Sequence, residues 1–343
     1  MNRTQPTRLA TTLILAGLLL AVSVSTTGAQ GGLFGIGGKT LGGRFVWSDE
    51  VVLHDWRVQK HAVMGHYRLI DPKDRRVTFG SFDHCLTRLA EIKREQELPP
   101  MATEIVVVLH GLGASRQMMD GLSDHLADQG GLSVVNVGYP STLAEIGEHA
   151  KSLASVLQHL EGVETVSFVA HSMGNLVIRH CLSDLAALPE AEQPKLKYKY
   201  FVMLAPPNHG AAMADSWADN EVAKIFAGKP LKQLAPGHGW EELEPHLATP
   251  DFEFGILAGG SGDSDGYLAA IPGDDDMLLS LETTKLAGAS DFAQVNGIHQ
   301  LLPRYKQVRE YTLRFLQKGY FISAQMKQPV VLAADLPVDG AQH

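Results

Sequence analysis

Cysteine is nearly absent: Cys85 and Cys181 are the only two in 343 residues, too few for a disulfide framework. One bridge between them is conceivable in an oxidising compartment, but two buried free thiols are the simpler expectation. Stability must therefore come from a packed core, and with 45% hydrophobic and 20% charged residues the chain has the material for one. Positive charge is also short. Lys and Arg number 29 against 38 Asp and Glu, a net charge of −9, and no Lys/Arg-rich tract occurs. That balance argues against nucleic acid and anionic membrane surfaces as partners. No internal repeat of 20–50 residues is present, which sets solenoids and propellers aside. There is no His-Glu-x-x-His and no Gly-x-Gly-x-x-Gly, so neither a metal nor a cofactor is expected.

The N-terminus has a different character from the rest. Arg3 and Arg8 occur without an acidic residue, Leu13 to Val22 is apolar, and Thr27-Gly28-Ala29 offers small residues for cleavage. This is the layout of a signal peptide over residues 1–29, and it predicts an exported protein, secreted or held in the periplasm or cell envelope. The apolar run falls short of the about 20 residues of a membrane span, although a retained anchor is the competing reading. Glycines crowd residues 28–43, and 30–43 reads as a flexible leader.

Beyond the leader, one domain is expected over 44–320, followed by a tail at 321–343 without clear periodicity. Alternation in 44–82 predicts one or two strands within an extension reaching residue 100. A helix is expected at 83–97, stopped by Pro99-Pro100. Ile105-Val106-Val107-Val108-Leu109 is an uninterrupted apolar run, as in a strand buried on both faces of a parallel sheet. Strands at 132–137, 166–170, 200–205, 252–258 and 291–296 alternate with helices at 116–129, 143–160, 173–187 and 300–317. The alternation predicts an α/β fold, a doubly wound, mostly parallel sheet with helices on both faces.

Functional groups of such sheets gather at the carboxyl ends of the strands. Ser172, in Ala170-His171-Ser172-Met173-Gly174, lies between a strand and a helix, the context in which a small-x-Ser-x-Gly pattern marks a nucleophile. The alternative is a serine capping the helix at 173. The turn His110-Gly111-Leu112-Gly113-Ala114-Ser115 follows the strand 105–109, and no Gly-Lys-Ser/Thr follows it, which disfavours a phosphate. Its glycines suit exposed amides, so the backbone N–H groups of Leu112 and Met173 are the candidate oxyanion donors. Serine needs a base, and the base an orienting acid, in the chain order Ser, Asp or Glu, His. His299 follows a strand and precedes a helix; His246 and His238 are weaker candidates. Asp263, Asp265, Asp274, Asp275 and Asp276 are all eligible acids. Asp276 abuts the apolar Met277-Leu278-Leu279, and the others are expected to be solvated or to form a weak cation site.

Together with Ala205-Pro206-Pro207-Asn208-His209-Gly210, with Asp275-Asp276-Met277-Leu278-Leu279-Ser280-Leu281 and with Gly297-Ile298-His299, these segments resemble the ordered motifs of small secreted bacterial triacylglycerol lipases of the Ala-x-Ser-x-Gly type. The similarity spans about residues 104–303 and implies an α/β-hydrolase fold. It implies Ser172 as nucleophile, His299 as base and Asp276 as acid, with the amides of Leu112 and Met173 as oxyanion hole. It also implies a secreted lipase or esterase whose substrate is a small-molecule or lipid ester, with transient contact at lipid interfaces. The extension before residue 105 and the connection 209–250, with Trp217, Ile225, Phe226, Leu231 and Trp240, depart from those lipases. The connection is a candidate lid. An acyltransferase or amidase on the same residues, and a non-catalytic binding module, are the competing functions.

Overall fold

The computed structural model describes residues 45–211, 229–235 and 239–331. The signal peptide, the leader, the end of the tail, His238, and Trp217, Ile225 and Phe226 of the candidate lid lie outside the described residues. Six parallel strands form the main sheet: β5 (Glu104–Leu109), β6 (Ser133–Val137), β7 (Thr165–His171), β8 (Lys197–Leu204), β9 (Glu253–Gly260) and β10 (Asp291–Asn296). Their order across the sheet is β6-β5-β7-β8-β9-β10, with every pairing parallel. The chain therefore winds outward from β5 first one way and then the other, as the alternating pattern predicts.

Apolar side chains from alternate strand positions feed two separate cores. On one face Val107, Phe168 and Phe201 meet α3 (Ile146–Gln158) and α4 (Met173–Ala186). On the other, Val106, Val169 and Leu257 meet α2 (Asp120–Gly130) and α5 (Lys306–Lys318). Burying one such side chain is worth about 1.5–3 kcal/mol, which is why the central strands carry no polar alternation. The expected helix at 300–317 is divided: a 3-10 segment, His299–Arg304, contains Pro303, and α5 starts after it.

The extension differs from expectation. Instead of one or two strands it forms a four-stranded antiparallel sheet, β1 (Trp47–Leu53), β2 (Trp56–His61), β3 (Tyr67–Ile70) and β4 (Arg76–Gly80), backed by α1 (Phe82–Glu95). Val51, Val58 and Leu69 supply its apolar face and join the same core as β7 and α4. The opposite face is polar yet also buried. Asp49, Gln59 and Arg68 stand opposite one another across β1, β2 and β3. Gln59 donates to Asp49 at 2.7 Å and Arg68 Nε donates to Gln59 at 2.9 Å. Arg57 completes the row with an ion pair to Asp49 at 2.5 Å, both groups inaccessible to water. Both faces of β1, β2 and β3 are largely buried, so the alternation of their residues comes without an exposed face.

Because the two sheets share a core, they should unfold together. Leu69→Ala in the small sheet and Phe168→Ala in the large one should each cost about 2–5 kcal/mol within a single urea transition. Tryptophan fluorescence and far-UV circular dichroism should give coincident curves for both variants. A second transition in Leu69→Ala would show that the small sheet is a separate unit.

Candidate active site

Strand β7 ends at His171, helix α4 begins at Met173, and Ser172 is the single residue between them. With φ 54° and ψ −128°, Ser172 occupies the left-handed half of backbone space, which costs a non-glycine residue about 1–3 kcal/mol. Its surroundings hold it there. The Ser172 N–H donates to Leu204 O on β8 at 2.9 Å, and its carbonyl accepts from the Asn175 N–H and side-chain amide at 3.0 and 2.8 Å. Small neighbours make the turn fit. A Cβ on Gly174 would stand 2.6 Å from His110 O, and one on Gly111 would stand 2.9 Å from Ser172 Cβ.

The glycine-rich turn after β5 is thereby pressed against the serine. His110 is fully buried, and its Nδ1–H donates to Gly111 O at 2.9 Å. In a trans peptide the N–H of Leu112 then points away from the His110 ring. Tyr139 stacks on that ring with centroids 4.3 Å apart and planes 9° from parallel, and its hydroxyl donates to His110 O at 2.5 Å. Met173, the other expected donor, opens α4, where the first amides have no partner within the helix.

The remaining groups arrive from beyond β9 and β10. Asp276 Oδ1 accepts the N–H groups of Leu278 and Leu279 at 3.0 and 2.7 Å, which leaves Oδ2 for His299 Nδ1 at 2.7 Å. His299 Nε2 lies 2.8 Å from Ser172 Oγ. The His299 N–H also donates to Asp276 O at 2.8 Å, so backbone and side chain fix the same pair. With Nδ1 protonated toward the carboxylate, Nε2 is free to accept the serine proton. All three side chains are buried.

The structure sorts the other carboxylates. Asp275 is buried, and it accepts from Met277 and Leu268 N–H at 2.7 and 3.0 Å. Asp274 accepts from Ser261 N–H at 2.7 Å and Gly262 N–H at 2.9 Å. Both hold the loop that presents Asp276, contrary to the expectation of solvated residues; Asp263 and Asp265 are exposed as expected. Among the described residues no cluster of His, Cys, Asp or Glu could hold a metal ion. His246 stacks on His180, which pairs with Asp184. Cys85 and Cys181 are buried, free thiols.

Sequence reasoning missed three supporting groups. His171 donates through Nε2 to His299 O at 2.9 Å, tying the base to the serine turn. Tyr139 is the second, a lone aromatic in a loop with no motif to signal it. Arg179, a turn and more along α4, binds Asn208 Oδ1 at 3.0 Å and Ala248 O at 2.8 Å. It thus links the two feet of the 209–250 connection.

Burial keeps several of these histidines neutral. It lowers His110 and His149, which flank Tyr139, to about 4 and holds His171 well below its ordinary value. The unfolded chain would protonate all three near pH 6.5, so between about pH 6.5 and 4 it binds more protons than the folded chain. Stability should accordingly fall as pH drops through that window, by at most about 1.4 kcal/mol per pH unit per group. Urea midpoints at pH 7.5, 6 and 5 should decline steadily, and His149→Gln should flatten the slope. An unchanged slope in that variant would contradict the assignment.

Residues 100–222 match the family model described as "Putative serine esterase (DUF676)". No curated protein matches the chain. Among solved structures, the mature lipase BlEst2 of Bacillus licheniformis is 17% identical with a TM-score of 0.49, the alignment covering 64% of this chain and 94% of that one. The lin2722 gene product of Listeria innocua is 16% identical with a TM-score of 0.46, covering 63% and 95%. The metagenomic carboxyl esterase MGS0156 is 17% identical with a TM-score of 0.43, covering 59% and 66%. The six-stranded parallel sheet is that of an α/β-hydrolase fold, and within it residues 100–222 are similar to a family described as serine esterases.

Proposed function

We propose that this protein hydrolyses carboxylic esters through an acyl-enzyme on Ser172. The observation that carries the reading is the unbroken relay from Asp276 through His299 to Ser172 Oγ, with bonds of 2.7 and 2.8 Å. Ser172 Oγ attacks the ester carbonyl carbon while its proton passes to His299 Nε2. The oxyanion that forms is stabilised by the N–H groups of Leu112 and Met173. The carbon–oxygen ester bond then breaks as His299 returns the proton to the departing alcohol. Water attacks the acyl-serine, again giving a proton to His299, and the carboxylic acid leaves as Ser172 regains its hydrogen. Asp276 Oδ2 accepts the Nδ1–H of His299 throughout.

Apolar groups close to these residues in the chain support an ester with an apolar acyl part. Leu112 and Leu278 are half-buried, and Leu301 is exposed two residues after His299. The basic, apolar and small-residue order of residues 1–29 supports export of the enzyme. N-terminal sequencing of the exported protein should find Met1 through Ala29 removed.

Ser172→Ala should remove both p-nitrophenyl ester hydrolysis and labelling by a fluorophosphonate, lowering kcat by at least about 10⁴-fold with the fold intact. Asp276→Asn should lower kcat by about 10³–10⁴-fold while leaving KM nearly unchanged, because the tautomer of His299 is no longer fixed. Hydrolysis retained by folded Ser172→Ala would refute the reading.

A further inference from the structure

The polar face of the small sheet has no role in the relay, yet it is buried and joined by a chain of hydrogen bonds. Its centre is Asp49, buried from solvent. One Asp49 oxygen accepts from Gln59; the other accepts from Arg57 and, at 2.7 Å, from the backbone N–H of Gly138. The Asp49 N–H donates back to Gly138 O at 2.9 Å. A carboxylate and its own amide therefore grip a single residue of the loop after β6 from both sides. The residue that follows is Tyr139. Its hydroxyl holds His110 O at 2.5 Å, and its ring lies flat on the His110 imidazole. His110 in turn holds Gly111 O through Nδ1–H, which fixes the plane of the peptide whose N–H belongs to Leu112. Each link in this path is a direct bond, and it runs from the extension to one expected oxyanion donor. A second strut lies nearby, an ion pair between Asp74 of the extension and Arg116, just past the same turn.

We propose that the four-stranded sheet is a brace for the oxyanion turn, with Asp49 and Tyr139 as positioning residues that act through His110. The proposal rests on the ester-hydrolase reading above, and it assigns the extension a part in turnover. The physical reason is preorganisation: a donor stabilises the developing oxyanion only if its direction is set before the charge appears. A glycine-rich turn sets no direction by itself, because Gly111 and Gly113 leave its backbone permissive, with Gly113 at φ 70°. The bonds from Tyr139 and His110 remove that freedom, and Asp49 holds Tyr139 in place. Arg57 and Gln59 also donate to the Asp49 carboxylate, so the anchor is buried and held from three sides.

Tyr139→Phe keeps the ring stack and deletes only the bond to His110 O; Asp49→Asn keeps the shape of the anchor and weakens its grip on Gly138. Both variants should be assayed as full mature protein, with active sites counted by fluorophosphonate titration so that any unfolded fraction drops out. Each should lower kcat on a p-nitrophenyl ester by about tenfold with KM within about twofold, the signature of a contact felt only in the transition state. Affinity for an alkylboronic acid, which forms a tetrahedral adduct on the serine with an oxygen in the oxyanion position, should fall by a similar factor. A merely structural role would reduce the count of titrated sites and leave kcat per site and boronate affinity alone. If Asp49→Asn does not fold, Tyr139→Phe decides alone. Kcat per site and boronate affinity within about twofold of wild type in folded Tyr139→Phe would overturn the brace while leaving the hydrolase reading intact. A wild-type protein that neither turns over esters nor takes up the fluorophosphonate would overturn both.

Discussion

A Cβ on residue 174 would lie 2.6 Å from the carbonyl oxygen of His110, a separation that real side chains do not tolerate. The backbone of the first turn of α4 and the end of β5 are in contact there, and the site follows from that contact. Only with the two turns this close can the glycine-rich turn border Ser172, and only a left-handed Ser172 can enter α4 at that angle. The strain at Ser172 is held by bonds to β8 and to Asn175, groups that belong to rigid elements. Strain of this kind persists only where the surroundings over-determine it. Ser172 thus sits between a strand end and a helix start, with the loops serving to deliver Asp276 and His299 to it.

Those loops are themselves held by carboxylates in series. Asp274 fixes the chain after β9, Asp275 fixes the turn before Met277, and Asp276 is left to face His299. Three identical residues in sequence take three directions because each accepts different backbone amides. Met277, at φ 75°, is the kink that lets Asp276 turn inward while its own neighbours close on it. A loop of this kind costs conformational entropy to order, and burying charged oxygens against N–H donors is what offsets that cost.

The parallel sheet was legible in the sequence because its strands are apolar on both faces and end in turns with glycine or small residues. Ile105 to Leu109 and Val166 to Ala170 have no other stable placement in a chain this long. The structure brings the candidate residues Ser172, Asp276 and His299 together, and choosing Asp276 over four neighbours needed the apolar run behind it and the lipase resemblance. What escaped the sequence shares one physical feature. The small sheet buries its polar face, so the alternation that reports strands is present without the solvent contrast that makes it recognisable. Tyr139, His171 and Arg179 act through long-range bonds to backbone carbonyls or a side-chain amide. Such bonds leave no periodicity and no local motif, since the partner lies 29 to 128 residues away.

The same burial that organises the site narrows its working range. His299 must be neutral at Nε2 to accept a proton, and His110, His149 and His171 must be neutral for the packing around it to persist. For the last three, neutrality is imposed by exclusion of water, because none of them faces a carboxylate within bonding distance. Protonating one would place an uncompensated cation beside the oxyanion turn or the base, and the turn would have to open to hydrate it. His299 differs in having Asp276 against its Nδ1 at 2.7 Å, the arrangement that the proposed relay uses. The site therefore separates one imidazole bonded to a carboxylate from three buried without one. The separation is made by where the buried carboxylates are, with Asp276 bonded to the His299 ring and Asp49 bonded to the backbone of Gly138.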